Sequence, residues 1–118
     1  MNIENIKSVY FVGAGGIGMS ALIRYFLSKS KTVAGYDRTP SELTERLIVE
    51  GAQIHYEENV DLIPQACKDK DTTLVVFTPA IPHDHRELVY FRQNGFEIHK
   101  RAQVLGLITR GSKALCVA

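Results

Sequence analysis

Gly13, Gly15 and Gly18 stand in the spacing G-x-G-x-x-G within the stretch VGAGGIGMSAL, residues 12–22. A glycine turn of this spacing, set between a strand and a helix, is suited to holding a phosphate or diphosphate. Gly13 permits the sharp turn, Gly15 lets the backbone approach a ligand with no Cβ in the way, and Gly18 allows close helix–strand packing. The first helical N–H groups and the positive end of the helix dipole then face the anion. Asp37 lies 19 residues beyond Gly18, where nucleotide-binding folds carry the carboxylate that accepts hydrogen bonds from a ribose. Plainer readings stand beside these: a glycine turn used only for packing, and a solvated turn aspartate. The spacing reads geometry and does not tell an adenosine from a uridine.

The remaining polar clusters offer less. His55 is placed to donate to a ligand from the end of a strand, or to serve as a partly buried structural histidine. His83-Asp84-His85 invites a metal, but three such residues in a row do not close a coordination sphere, so a solvated helix start is expected and no metal site. Glu57-Glu58 and residues 68–71 read as exposed loop charges. No Ser/His/Asp or Cys/His arrangement stands out, so no catalytic residue is assigned within the chain.

The elements that must position these residues alternate between strand and helix. Ser8–Val12 is an apolar strand stopped by the glycines, and Ile17, Ala21, Leu22, Tyr25 and Phe26 recur at helical spacing up to residues 28–30. Thr32–Tyr36 is a second strand. Thr39 is expected to cap the next helix, with Pro40 in its first turn, Glu42 completing a capping box, Leu43, Leu47 and Ile48 buried, and Gly51 ending it. A short strand at 53–56 and a short helix at 61–68 follow. Residues 72–77 read as an interior strand, continuously apolar at its end, and Pro79 and Pro82 make 78–82 a loop. A helix at 84–93 closes at Asn94-Gly95, a strand spans 96–99, and a last helix spans 102–108. This order predicts an α/β fold: a Rossmann-like, doubly wound, five-stranded parallel sheet with helices on both faces. Its ligand crevice lies at the carboxyl ends of the strands, where Gly13 to Gly18, Asp37, His55 and Thr78 to Ile81 converge.

Length and charge limit the alternatives. The 118 residues are enough for one domain with a substantial core, and a net charge of +1 gives no general attraction to nucleic acid or to acidic membranes. Function must therefore come from a local site. No apolar run approaches bilayer length, and the N-terminus carries no signal core. Cys67 and Cys116 stand in no metal or redox spacing and read as reduced, largely buried thiols of a cytoplasmic protein. After a turn at 109–113, residues 114–118 begin another apolar strand, which suggests a chain cut from a longer protein.

In its full form, GxGGIGMSAL, the opening motif resembles the amino-terminal domain of the Mur ligases. The resemblance continues through Gly35-Tyr36-Asp37, Gly51-Ala52, His55 with Asn59 four residues later, Ala80-Ile81, and Arg101-Ala102 leading to Leu105. Two features depart from it: Thr78-Pro79 replaces two small serines, and the segment from Gly51 to Asn59 is short. The resemblance implies a cytoplasmic UDP-N-acetylmuramic acid-binding domain at residues 1–110. It would belong to an ATP-dependent ligase of peptidoglycan biosynthesis that joins L-alanine to that UDP-sugar through an acyl phosphate. Residues 111–118 would then be the linker and first strand of a central domain that binds ATP and magnesium, with no cofactor held tightly by this chain. The implied diphosphate donors are the backbone N–H groups from Ala14 to Met19, across Gly15, Gly16, Ile17 and Gly18. Asp37 would contact ribose or uracil, and Thr78, Pro79, Ala80 and Ile81 would line the crevice. Arg38, His55, Asn59 and Arg101 are secondary candidates. Three alternatives stay open: an NAD(P)-binding domain of an oxidoreductase or redox sensor, the related ligase that recycles murein peptides, and a regulatory nucleotide sensor.

Overall fold

The computed structural model describes residues 5–15, 18–79 and 81–111, so Gly16, Ile17, Ala80 and the strand expected at 114–118 lie outside the described residues. Five strands, β1 (Ser8–Val12), β2 (Thr32–Tyr36), β3 (Gln53–His55), β4 (Thr73–Phe77) and β5 (Glu97–Lys100), form one parallel sheet in the order β3-β2-β1-β4-β5. Four helices connect or follow them: α1 (Met19–Ser28), α2 (Glu42–Glu50), α3 (Arg86–Gln93) and α4 (Arg101–Gly111). This is the doubly wound α/β arrangement expected from the alternation of elements, with its switch in strand order between β1 and β4. No helix among the described residues is long and apolar enough to cross a membrane.

The middle strands are apolar after their first residues, Ser8 and Thr73, because helices cover both sheet faces. All five residues of β1 are buried, and four of the five in β4. Alternate residues part to opposite sides. Val9, Phe11, Leu74 and Val76 join Leu22, Phe26, Leu47 and Val104 in the core beneath α1, α2 and α4. Tyr10, Val12, Ala34 and Val75 join Cys67, Phe91 and Phe96 in the core beneath α3. Phe26 and Phe91 are fully buried, each contributing about 1.5–3 kcal/mol of hydrophobic stabilisation.

Several element boundaries differ from expectation, each for a local reason. Ser41, not Thr39, caps α2: its hydroxyl accepts the Thr44 N–H at 3.2 Å, and Thr44 Oγ1 accepts the Ser41 N–H at 2.9 Å. Thr39 is instead drawn into a turn by Asp37, whose Oδ1 accepts its N–H, so Pro40 precedes the cap. Thr44 and Leu47 form the buried side of α2, while Ile48 is 39% exposed. The helix expected at 61–68 is two 3₁₀ turns, Val60–Leu62 and Gln65–Lys68, separated at Ile63-Pro64. The helix expected from 84 begins at Arg86 with His85 as its cap. The last helix extends through the turn expected from residue 109, as far as Gly111.

Strand register determines what meets at the site. His55 pairs with Tyr36, Tyr36 with Val12, Val12 with Phe77, and Phe77 with Lys100. The last residues of all five strands thus form one level row. The residues that follow them, Gly13, Asp37, Tyr56, Thr78 and Arg101, leave the sheet along a single edge.

Candidate functional site

The glycine turn is built against that edge. Gly13 and Gly18 adopt left-handed backbone, with φ of 96° and 79°, where side chains are disfavoured. A Cβ on Gly13 would stand 3.0 Å from Thr78 Oγ1 and 3.4 Å from Ile81 Cγ1, so the loop after β4 closes directly over the turn after β1. A Cβ on Gly15 would overlap the Asp37 carboxylate, whose Oδ2 accepts the Gly15 N–H at 2.6 Å. This short bond to a charged acceptor makes Asp37 itself the group that approaches the Gly15 backbone. A Cβ on Gly18 would come within 2.9 Å of Arg101 Nη1, so the guanidinium lies across the start of α1. Three turn glycines therefore bring together Thr78, Ile81, Asp37 and Arg101 from three other segments.

The amide donors of the turn divide into two groups. Gly13 and Ala14 both donate to the Tyr36 carbonyl at 2.8 Å, and Gly15 donates to Asp37. The expected donor series from Ala14 to Met19 is thus internally engaged at its first two members. The start of α1 is different. Gly18 supplies no side-chain cap, and no acidic residue occupies the first turn. Among the described residues, no side chain therefore caps the opening N–H groups of that helix. A positive helix end beside a guanidinium is electrostatically incomplete, and an anion would complete it. Met19 contributes only backbone here, since its side chain is fully buried. Pro79 and Arg38 are exposed, and Arg38 lies close enough to Tyr36 to act on it electrostatically.

Beyond β2 the edge carries a buried polar cluster. Glu87 on α3 is fully buried and accepts from the Tyr10 hydroxyl, from His55 Nε2 at 2.8 Å and from the Asn59 N–H at 3.1 Å. Tyr10 Oη and His55 Nε2 are 3.1 Å apart. Three donors on one carboxylate offset the cost of burying its charge. Burial and then the Glu87 charge push the Tyr10 phenol far above its ordinary pKa, so it keeps its proton and donates. Tyr36 is shifted the same way, by burial and then by the charges of Glu58 and Glu87. The Asn59 side chain is engaged locally, its Oδ1 accepting from the Asp61 N–H.

The histidine-rich segment is not the solvated helix start expected of it. His83 and Asp84 are exposed, but His85 is buried, packs on Tyr36 and accepts the Glu87 N–H at Nδ1. Glu58, expected as a free loop charge, accepts the Arg86 N–H at 2.9 Å and has an oxygen 3.7 Å from His85 Nε2. Among the described residues no group of three or more His, Cys, Asp or Glu side chains is arranged to hold a metal. Glu87, Tyr10 and His85 are the residues that sequence reasoning missed. A signal existed: Glu87 lies four residues before Phe91, on the same side of α3, and Tyr10 needs an acceptor inside a fully covered strand.

Fold and crevice together define a doubly wound α/β domain with its glycine turn and the loop after β4 gathered at the switch point in strand order. The profile described as "Mur ligase family, catalytic domain" matches residues 8–113, and the chain belongs to this family. It is 69% identical over all 118 residues to the UDP-N-acetylmuramate–L-alanine ligase of Phocaeicola vulgatus, and 66% identical to that of Parabacteroides distasonis. The chain spans 26% of the length of each of these relatives. The crystal structure of the UDP-N-acetylmuramate–alanine ligase of Thermotoga maritima matches at a TM-score of 0.75 and 30% identity, over 87% of this chain and 23% of that one. The UDP-N-acetylmuramate:L-alanyl-γ-D-glutamyl-meso-diaminopimelate ligase of Neisseria meningitides shares the fold, with a TM-score of 0.67 at 14% identity over 80% of this chain and 28% of that one.

Proposed function

We propose that this chain is the UDP-N-acetylmuramic acid-binding domain of an ATP-dependent, cytoplasmic ligase that joins L-alanine to that UDP-sugar in peptidoglycan biosynthesis. The observation that carries the proposal is the start of α1, which has no side-chain cap and no acidic residue, with Arg101 lying across it. That arrangement suits a diphosphate. The names of the relatives supply the identity of the sugar nucleotide and of the amino acid. The N–H groups of Gly18 and Met19 at the start of α1 hold the diphosphate, and Arg101 balances its charge. Asp37, steadied by Gly15, receives the ribose or the base. Thr78 and Ile81 line the crevice over Gly13 with Pro79 between them in the chain, while Arg38, His55 and Asn59 border it on the β2–β3 side. ATP and magnesium supply the acyl-phosphate chemistry, and we assign their binding to a central domain of the longer protein.

Calorimetric titration of the 118-residue chain with UDP-N-acetylmuramic acid and with NADH tests this. Saturable binding of the UDP-sugar, with none of NADH, is expected, and the reverse result would overturn the proposal. Asp37→Asn removes the charge of one ligand contact and is expected to weaken UDP-sugar binding about tenfold. Unchanged affinity would remove Asp37 from the site.

A further inference from the structure

His55 ends β3 and is tied to the interior by one of its two ring nitrogens. Its Nε2 lies 2.8 Å from Glu87 Oε2 and 3.1 Å from Tyr10 Oη. Glu87 as a carboxylate is acceptor-only, and the Tyr10 hydroxyl already donates to its other oxygen. The proton of this contact therefore sits on Nε2 of His55, with Tyr10 Oη as a second, longer acceptor. In a neutral imidazole that placement leaves Nδ1 as a bare lone pair. Nδ1 has no hydrogen-bond partner among the described residues, and it is not among their buried unpartnered atoms. His55 also lines an open cavity of about 400 Å³ beside β3, whose apolar walls include Ile48, Ile54, Leu62 and Pro64. Nδ1 is the ring nitrogen left for that cavity. The Asn59 N–H, donated to the same Glu87 oxygen, holds the following loop against α3.

We propose that Glu87 is a positioning residue for ligand recognition: it holds His55 in the Nε2–H tautomer, so that Nδ1 accepts a hydrogen bond from an N–H donor of the ligand in the cavity beside β3. This rests on the nucleotide reading of the crevice. Asp37, which receives the ribose in that reading, directly follows β2, and its backbone N–H donates to the His55 carbonyl at 3.1 Å, so the base lies next to β3. A uracil carries a single N–H, at N3, flanked by two carbonyls. An acceptor held between apolar walls suits that edge, and no protonated side chain is needed to read it. Glu87 touches no ligand atom in this arrangement and acts only through His55.

Two measurements test the inference. Nitrogen-15 NMR of the His55 ring at mildly alkaline pH is expected to show Nε2 protonated and Nδ1 bare in the wild-type chain. Glu87→Gln preserves the shape but offers an amide N–H toward Nε2, and is expected to move the ring toward the opposite tautomer while the fold, followed by circular dichroism, is retained. A wild-type ring protonated at Nδ1 would overturn the inference whatever the fate of the mutant. In parallel, UDP and its N3-methylated analogue are titrated against wild type, His55→Phe and Glu87→Gln. The methyl group is expected to weaken wild-type binding about tenfold and to make little difference in either variant. The same methyl penalty in His55→Phe would show that the donor is read elsewhere and would also overturn it. Wild-type binding of UDP with no sensitivity to the methyl group defeats this inference alone, whereas no UDP binding at all defeats the nucleotide reading with it.

Discussion

At Gly15 the absence of a side chain serves the protein before it serves any ligand. The Asp37 carboxylate occupies the space where a Cβ would stand and takes the Gly15 N–H at 2.6 Å. Gly15→Ala is therefore expected to expel that carboxylate and destabilise the chain by about 1.5–3 kcal/mol, the range for a hydrogen bond to a charged group. Urea denaturation measures the loss. The cause is tested with Gly15→Ala and Asp37→Gly combined: if the clash is with Asp37, the double variant loses clearly less than the two single variants together. Strictly additive losses would place the clash elsewhere. The glycine spacing and the distance to Asp37 were legible in the sequence. Their contact with each other was not, because it depends on β1 and β2 being neighbours in register.

At the scale of elements, the helices show how far local rules reach. Residues 39–44 hold competing cap candidates, and local pattern favours Thr39 with Glu42. The structure uses Ser41 with Thr44, because Thr44 faces the core and its hydroxyl also accepts from Tyr56 Oη at 3.0 Å. Ser41→Ala is expected to cost about 1 kcal/mol in thermal or urea unfolding, while Thr39→Ala leaves stability nearly unchanged. A larger loss for Thr39→Ala would restore the earlier capping pattern. Strands β1 and β2 and the ends of α2 and α3 at Gly51 and Gly95 were readable to the residue, since apolar runs and left-handed glycines are local features. The start of α3 was not. The polar run His83 to Glu87 looks solvated in one dimension, yet His85 and Glu87 are buried because α3 lies on the sheet face that carries Tyr10 and Tyr36.

For the molecule as a whole, burial of acidic protons predicts a direction for stability with pH. Burial pushes the Cys67 thiol up from 9.0 to about 12, and the Tyr10 phenol also rises above its ordinary value. Both groups hold their protons more tightly folded than unfolded. The Cys67 contribution is complete below pH 9 and is lost as pH rises from there toward about 12, while that of Tyr10 begins to fall only above its ordinary value of 10.0. The melting temperature is expected to fall across that window, and to fall less in Cys67→Ala than in wild type. Equal losses in the two proteins would separate the effect from Cys67. With Cys116 replaced by serine, a thiol reagent is expected to label Cys67 only at the rate of unfolding, since its side chain is fully buried.

The order of strands and helices, the parallel sheet and the place of the glycine turn were determined by the sequence alone, because periodicity, turn residues and right-handed crossovers are short-range constraints. Tertiary structure decided which polar groups meet. The level row from His55 to Lys100 sets Gly13, Asp37, Thr78 and Arg101 along one edge, and burial beneath α3 gathers Tyr10, His55 and Glu87. Such contacts join residues up to 77 positions apart, and no local pattern encodes them. They exist because the sheet brings distant strand ends to the same height, and because a carboxylate enclosed on every side must find its donors there.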